Sequence, residues 1–243
     1  MIAKAIEKIE SMAAPTIKEI DGHFYSINAA NEIAEILPDI PVPVAISLSS
    51  LDAVVMMVKT EAVKKFSPVF VSIPTATSVE VFSEAAKEMR EARAKLYKAT
   101  ATDVPGWEPS VKLPFDQAAV ALQTRFQDGS DRDYCLQLLS NITTGAKVTY
   151  NDTGVATTVV TQKGVALQQN QTIKPLVKLR PYRTFQEVLQ PEGLFLIRID
   201  ERGITFTEAD GGMWKLEARK TVLAYLRASL AEEIEREAVK VML

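Results

Sequence analysis

The chain has 243 residues, 47% of them hydrophobic and 24% charged, a composition that supports one large folded domain or two small ones. Its formal net charge of −3 excludes a global electrostatic pull toward nucleic acid or anionic membrane, so such binding needs a local patch. A single cysteine, Cys135, excludes an intrachain disulfide, and one cysteine with one histidine, His23, excludes a Cys/His zinc site.

Residues 1–13 carry Ile2, Ile6 and Ile9 at helical spacing, which predicts a short amphipathic helix stopped by Pro15. Its frequent charges are unlike the uninterrupted apolar core of a secretory signal. Thr16 to Ile27 alternates as two strands around an Asp21-Gly22 hairpin turn. Asn28 to Leu37 is expected to form a helix capped by Asn28, followed by an extended connector at Pro38, Pro41 and Pro43. Ser47-Leu-Ser-Ser-Leu-Asp52 is a helix-start signal, because serine hydroxyls accept from orphan amides, and a helix is expected over about 50–65. Its apolar run, Ala53 to Val58, is six residues, far short of a bilayer span. Val69–Ile73 and Val79–Phe82 read as paired strands around Pro74-Thr-Ala-Thr77, and Ala94–Thr100 as a third. The charged, alanine-rich stretch Ser83–Arg93 is either helix or an exposed excursion.

Asp103-Val-Pro-Gly-Trp-Glu-Pro109 concentrates Pro and Gly. It marks the expected boundary between an N-terminal region, 1–103, and a C-terminal region, 104–243, which are either separate or one continuous domain. Helices are expected over Phe115–Phe126 and Asp131–Ile142, parted by the turn Asp128-Gly-Ser-Asp131. Lys147–Tyr150 and Val155–Gln162 flank Asn151-Asp-Thr-Gly154, a hairpin-turn signal. Strands follow over about 174–180, 193–200 and 203–208. A long helix is expected over about 213–237, where Trp214, Ala218, Val222, Leu226, Leu230 and Ile234 form one stripe. The tail, Val239-Lys-Val-Met-Leu243, alternates as a closing strand. Without a regular βαβ rhythm, the pattern predicts an α+β fold of mainly antiparallel sheet with flanking helices and a long C-terminal helix.

The residues offer little catalytic chemistry. His23 falls in a hairpin strand beside Phe24 and Tyr25, where an exposed structural histidine is expected. Cys135 lies among Leu136, Leu138 and Leu139 and reads as a buried structural thiol. Neither a phosphate-binding Gly-x-x-x-x-Gly-Lys loop nor a Gly-x-Gly-x-x-Gly turn is present. Gly211-Gly212 before the last helix is a tight turn whose amides have the geometry to meet an anion. Acidic turns at Asp152, Asp200-Glu201, Glu208 and Asp210 supply the only hard-cation chemistry, and each is also explained as a turn. No catalytic residue, metal ligand or cofactor is assigned. The strongest binding candidate is a basic-aromatic strand: Lys178, Arg180 and Tyr182 share one face and Val177 and Leu179 the other, with Arg183 and Arg198 close in sequence. The competing expectation pairs these cations with Glu187, Glu192 and Glu208 on a solvated sheet face. Pro181 suggests a strand end or sheet edge, and Phe185 and Val188 suggest core anchors.

Leu179-Arg-Pro-Tyr-Arg-Thr-Phe-Gln-Glu-Val-Leu-Gln-Pro191, Phe195-Leu-Ile-Arg198 and Glu208-Ala-Asp-Gly-Gly-Met-Trp214 resemble the YfdQ-like family, a phage and prophage domain of unknown function. Phe126-Gln-Asp-Gly-Ser-Asp-Arg-Asp133, Asn151-Asp-Thr-Gly154 and Leu48-Ser-Ser-Leu51 extend the resemblance over most of the chain. It implies a phage or prophage setting, often beside early or recombination-associated genes, and brings no catalytic residue with it. The expected function is accordingly a non-enzymatic protein of the bacterial cytoplasm that self-associates. The alternatives are a single-strand nucleic-acid binding or annealing protein using the Lys178/Arg180/Tyr182 face, and a metal-dependent enzyme using the acidic turns.

Overall fold

The computed structural model of the protein describes residues 4, 16–27, 32–36, 44–85, 92–144, 147–152, 157–163 and 167–243. Apart from Lys4, the helix expected over 1–13 lies outside these residues, as do the 37–43 connector and positions 86–91. The chain divides into two compact units, 1–42 and 43–243.

The N-terminal unit contains one antiparallel sheet in the order β1-β2-β3, from Thr16–Ile20, His23–Ile27 and Ile33–Ile36. Asp21 and Gly22 both take positive φ, 53° and 82°, which a two-residue turn between right-twisted strands requires. The helix expected over Asn28–Leu37 is corrected: Ile33–Ile36 is a strand, paired Phe24↔Ile36 and Ile27↔Ile33. Its two β-branched isoleucines suit a pleated strand, and the free edge of β2 supplies a hydrogen-bonding partner that a lone helix of this length lacks.

Among the described residues, the second unit contains three sheets. A five-stranded sheet runs β15-β5-β6-β7-β4, from Val239–Met242, Val69–Thr75, Ser78–Phe82, Lys95–Thr100 and Ile46–Leu48. Its outer pairings, β15 with β5 and β4 with β7, are parallel, and the inner ones antiparallel. A four-stranded antiparallel sheet runs β12-β13-β14-β8, from Leu176–Leu179, Gly193–Asp200, Gly203–Glu208 and Lys112–Leu113. The third runs β11-β10-β9, from Leu167–Thr172, Thr157–Lys163 and Lys147–Asp152. Asn151 and Asp152 belong to β9, and the tip of that hairpin, 153–156, lies outside the described residues.

The helix expected at 50–65 forms as α1 (Leu51–Met57), a π segment (Val58–Ala62) and α2 (Val63–Phe66). Ser50 caps it: its Oγ accepts from the Ala53 amide at 3.1 Å. Helices α3 (Phe115–Arg125) and α4 (Ser130–Thr144) occupy the two expected segments. The C-terminal helix forms as α5 (Trp214–Ser229) and the short α6 (Ala231–Glu235). Ala218, Val222, Leu226 and Leu230 of the expected stripe are fully buried. The architecture is α+β, with mainly antiparallel sheets and a C-terminal helix. No described helix is long and apolar enough to cross a membrane.

Two hydrophobic clusters fill the second unit. One joins the five-stranded sheet, α1 and α5, through residues such as Val54, Val71, Val81, Leu96 and Leu226. The other joins the four-stranded sheet to α3 and α4, through Leu122, Phe126, Leu139, Phe195 and Phe206. Residues 103–109 run between them in sequence, and the chain returns to the first cluster at Phe185 and Val188 and again with α5.

Candidate functional site

The segment Leu179–Pro191 leaves the four-stranded sheet and enters the other cluster. β12 has the two expected faces: Val177 and Leu179 are buried, while Lys178 points outward. β12 is an edge strand, and Pro181 beyond it makes an isolated bridge to Phe126. Phe185 and Val188 insert into the first cluster, as their apolar character predicts. Thr184 Oγ1 donates to the carbonyl of Ala76 at the β5–β6 turn, and Gln186 Nε2 to the carbonyl of Asp103. Glu187 Oε1 accepts from the Leu51 amide at 2.6 Å, placing a carboxylate at the positive end of α1.

Gln190 holds the loop together. Its Oε1 accepts from the amides of Arg183 and Thr184 at 2.9 and 3.1 Å, and its Nε2 donates to the carbonyls of Phe185 and Val188 at 2.9 and 3.3 Å. One buried side-chain amide thereby satisfies four backbone groups that a buried loop would otherwise leave unpaired. No sequence pattern marks this residue. The sole hint is a glutamine in a proline-bounded loop.

Arg183 is where the two distinctive motifs meet. Its side chain is only 10% exposed, and Nη1 donates to Glu208 Oε1 at 2.6 Å. The guanidinium carbon lies 4.0 Å from the centroid of the Trp214 ring, a stacked cation–π contact. Asp210 Oδ1 accepts from the Gly212 amide at 2.9 Å, so the glycine turn before α5 is occupied by its own aspartate. Burial pulls the Arg183 pKa down to about 10, against the nearby Glu208 and Asp210 carboxylates, which raise it. Arg183 Nε and Nη2, Asp210 Oδ2 and Trp214 Nε1 are buried without a hydrogen-bond partner among the described residues. Gly193 closes the site: a Cβ there would press on Arg183 Nη2 and lie 3.3 Å from Asp210 Oδ2.

Lys178 and Arg180 instead line a surface groove of about 430 Å³ with Gln127 to Arg132, Lys174 and Glu192. Each cation there has a carboxylate. Glu192 meets Lys178 Nζ at 3.3 Å and Arg180 Nη2 at 3.4 Å, Asp131 meets Lys174 Nζ at 2.8 Å, and Arg132 pairs with Asp128. Asp131 also accepts from the Lys178 amide at 2.7 Å. Burial raises the Asp131 pKa, but the Lys174 ammonium and the Lys178 amide outweigh it and hold the carboxyl below its ordinary value. The expected pairing of arginines with glutamates is therefore present for Glu192 and Glu208, while Glu187 caps α1. Tyr182 is half-buried, and its amide donates to the Arg125 carbonyl at 2.9 Å. Arg198 shares the outer face of the sheet but lies across from Thr205, four residues along β13 from the Lys178 partner Leu194. The structure thus brings Lys178 and Arg180 together, sends Arg183 inward and leaves Arg198 apart.

Cys135 is fully buried, and burial pushes its thiol up to about 12, which leaves it protonated and unreactive at neutral pH. His23 is exposed on β2, its Nδ1 2.7 Å from Glu35 Oε1 across the sheet. Among the described residues, no three His, Cys, Asp or Glu side chains converge to hold a metal ion. Asp200 is engaged by Lys112 and by the Arg202 amide. No protein-family model, curated protein or solved structure matches this chain.

Proposed function

We propose that this chain is a non-enzymatic protein that associates with copies of itself. The observation that carries this reading is the direction of its distinctive side chains. In the motif segments, Arg183, Thr184 and Glu187 bond to other parts of the fold and Gln190 and Asp210 bond within their own loops, while apolar residues such as Ile46 and Met242 stand exposed on the outer strands of the five-stranded sheet. A motif used inward makes structure, and an apolar sheet edge left outward makes contacts between chains. The resemblance to phage and prophage proteins supports the cytoplasm of a bacterial host as the setting of this association. Sedimentation of the full chain tests it: an oligomer at tens of micromolar is expected, and a monomer there overturns it.

A second reading is supported by one observation, the gathering of Arg132, Lys174, Lys178 and Arg180 in a single groove. Single-stranded nucleic acid would have to displace Glu192 from Lys178 and Arg180. Binding of a labelled oligonucleotide should then fall steeply with salt and disappear in the Lys178→Glu/Arg180→Glu double variant. No retardation at low salt ends this reading.

A further inference from the structure

The five-stranded sheet has two outer strands, β15 and β4, and only β15 carries a charge. β15 carries Lys240 between Val239 and Val241. A charge on an edge strand opposes pairing with another chain. The stretch Val44-Ala-Ile-Ser-Leu48, which contains β4, has neither charge nor proline, and the next charged residue is Asp52, already inside α1. Alternation puts Ile46 and Leu48 of β4 on one face, and Val44 lies two residues before Ile46, ahead of the strand. Leu48 packs against the first cluster, whereas Ile46 is 47% exposed and Val44 91% exposed. The apolar face of β4 therefore runs past its own core, on a strand whose outer side has no partner strand among the described residues.

We propose that β4 is the edge through which two copies of this chain pair, antiparallel across a two-fold axis, merging their five-stranded sheets. This inference rests on the self-association reading and gives it a surface. A two-fold contact sets a strand against itself, so a charge in that strand faces its own kind. β4 has no charge and is self-complementary, while β15 would bring one Lys240 toward another. A register centred on Ile46 places Ile46 opposite the partner subunit's Ile46, and Val44 opposite the partner subunit's Leu48. Directly opposite residues share a face, so the two short apolar stripes become one continuous ridge.

Sedimentation velocity of the full chain tests the assignment, with Ile46→Lys and Met242→Lys as edge variants and a melting curve to show that each is folded. The wild-type dimer should weaken by about tenfold or more in Ile46→Lys, where two like charges meet at the axis, and stay unchanged in Met242→Lys. Ile46→Cys provides an arm that adds no charge. Mild oxidation should give a disulfide-linked dimer, because Cys135 is buried and does not compete. A dimer that withstands Ile46→Lys, or that gives no Ile46→Cys cross-link, overturns the β4 interface and leaves self-association standing. A wild-type monomer at tens of micromolar overturns self-association, and the β4 interface with it.

Discussion

The two cores of the 43–243 unit are built from different side chains. The core on the five-stranded sheet is aliphatic, with Val54, Val58, Val69, Val71, Val79, Val81 and Val222 buried in it. The core on the four-stranded sheet is aromatic: Phe126, Phe195 and Phe206 are buried, and the Trp107 ring meets Phe126 edge-on with centroids 4.7 Å apart. Small β-branched residues spread burial over many modest contacts, whereas rings concentrate it in a few large ones. The aliphatic core, whose own buried ring is Tyr97, takes a second, Phe185, from the strap that begins in the aromatic core at Leu179. What this contrast teaches is that the most distinctive stretch of the sequence fastens two unlike cores to each other.

Phe185→Ala is the strongest way to break that picture. It removes a buried ring and should cost about 3–5 kcal/mol. Far-ultraviolet and near-ultraviolet dichroism should report one shared, lowered transition. If the near-ultraviolet signal of the Trp107 cluster melts separately, the two cores are independent and the strap does not couple them. Arg183→Met follows, with an expected loss of about 2–3 kcal/mol, because Glu208 and Asp210 lose their cation while Glu208 keeps some access to water. Arg183→Lys should recover little of it, since an ammonium lacks the flat guanidinium face that stacks on Trp214. Gln190→Ala should cost about 1–3 kcal/mol by leaving buried loop backbone unpaired, and hydrogen exchange should rise at the amides of Arg183 and Thr184. A loss confined to global stability, with those amides still protected, would mean the loop holds its shape without Gln190.

The smallest expected effect is a dependence on pH at the edge of the aromatic core. Asp131 has its pKa lowered from 3.8 in the folded state, so its contribution is present above the unfolded value and is lost as pH falls through the lower folded one. Asp131→Asn should flatten the acid limb of the stability profile below about pH 4, the ordinary carboxylate range, and leave the neutral region nearly flat as before. An unchanged acid limb would show that Asp131 does not couple to folding.

Much of this organisation is legible in the chain itself. Period-two alternation identified β5, β6, β7, β13 and β14, and the four-residue stripe identified the helix from Trp214, because each of these elements has one face in a core. The strands that escaped notice, β4, β8 and β11, are short or polar, and pairing rather than pattern holds them. Ile33–Ile36 was expected within a helix because it is too short for periodicity to separate a helical turn from a strand. In the motif, the inward role of Phe185 and the pairing of Arg183 with Glu208 follow from residue type. The roles of Glu187 and Trp214 do not, since each depends on a segment far away in sequence meeting the loop, and that of Gln190 does not because it depends on how the loop folds back on itself.

The order of the two cores along the chain has a consequence for how the protein is made. The aromatic core is assembled from residues between Ala118 and Phe206, whereas the aliphatic core needs Leu51 at one extreme and Val239 at the other. During synthesis the ribosome releases every strand and helix of the inserted core before it releases α5 and β15. The valine-rich strands β5, β6 and β7 therefore wait without α5 for the time needed to translate more than a hundred further residues, at about 5–20 residues per second. That interval is when the nascent chain has most need of a chaperone.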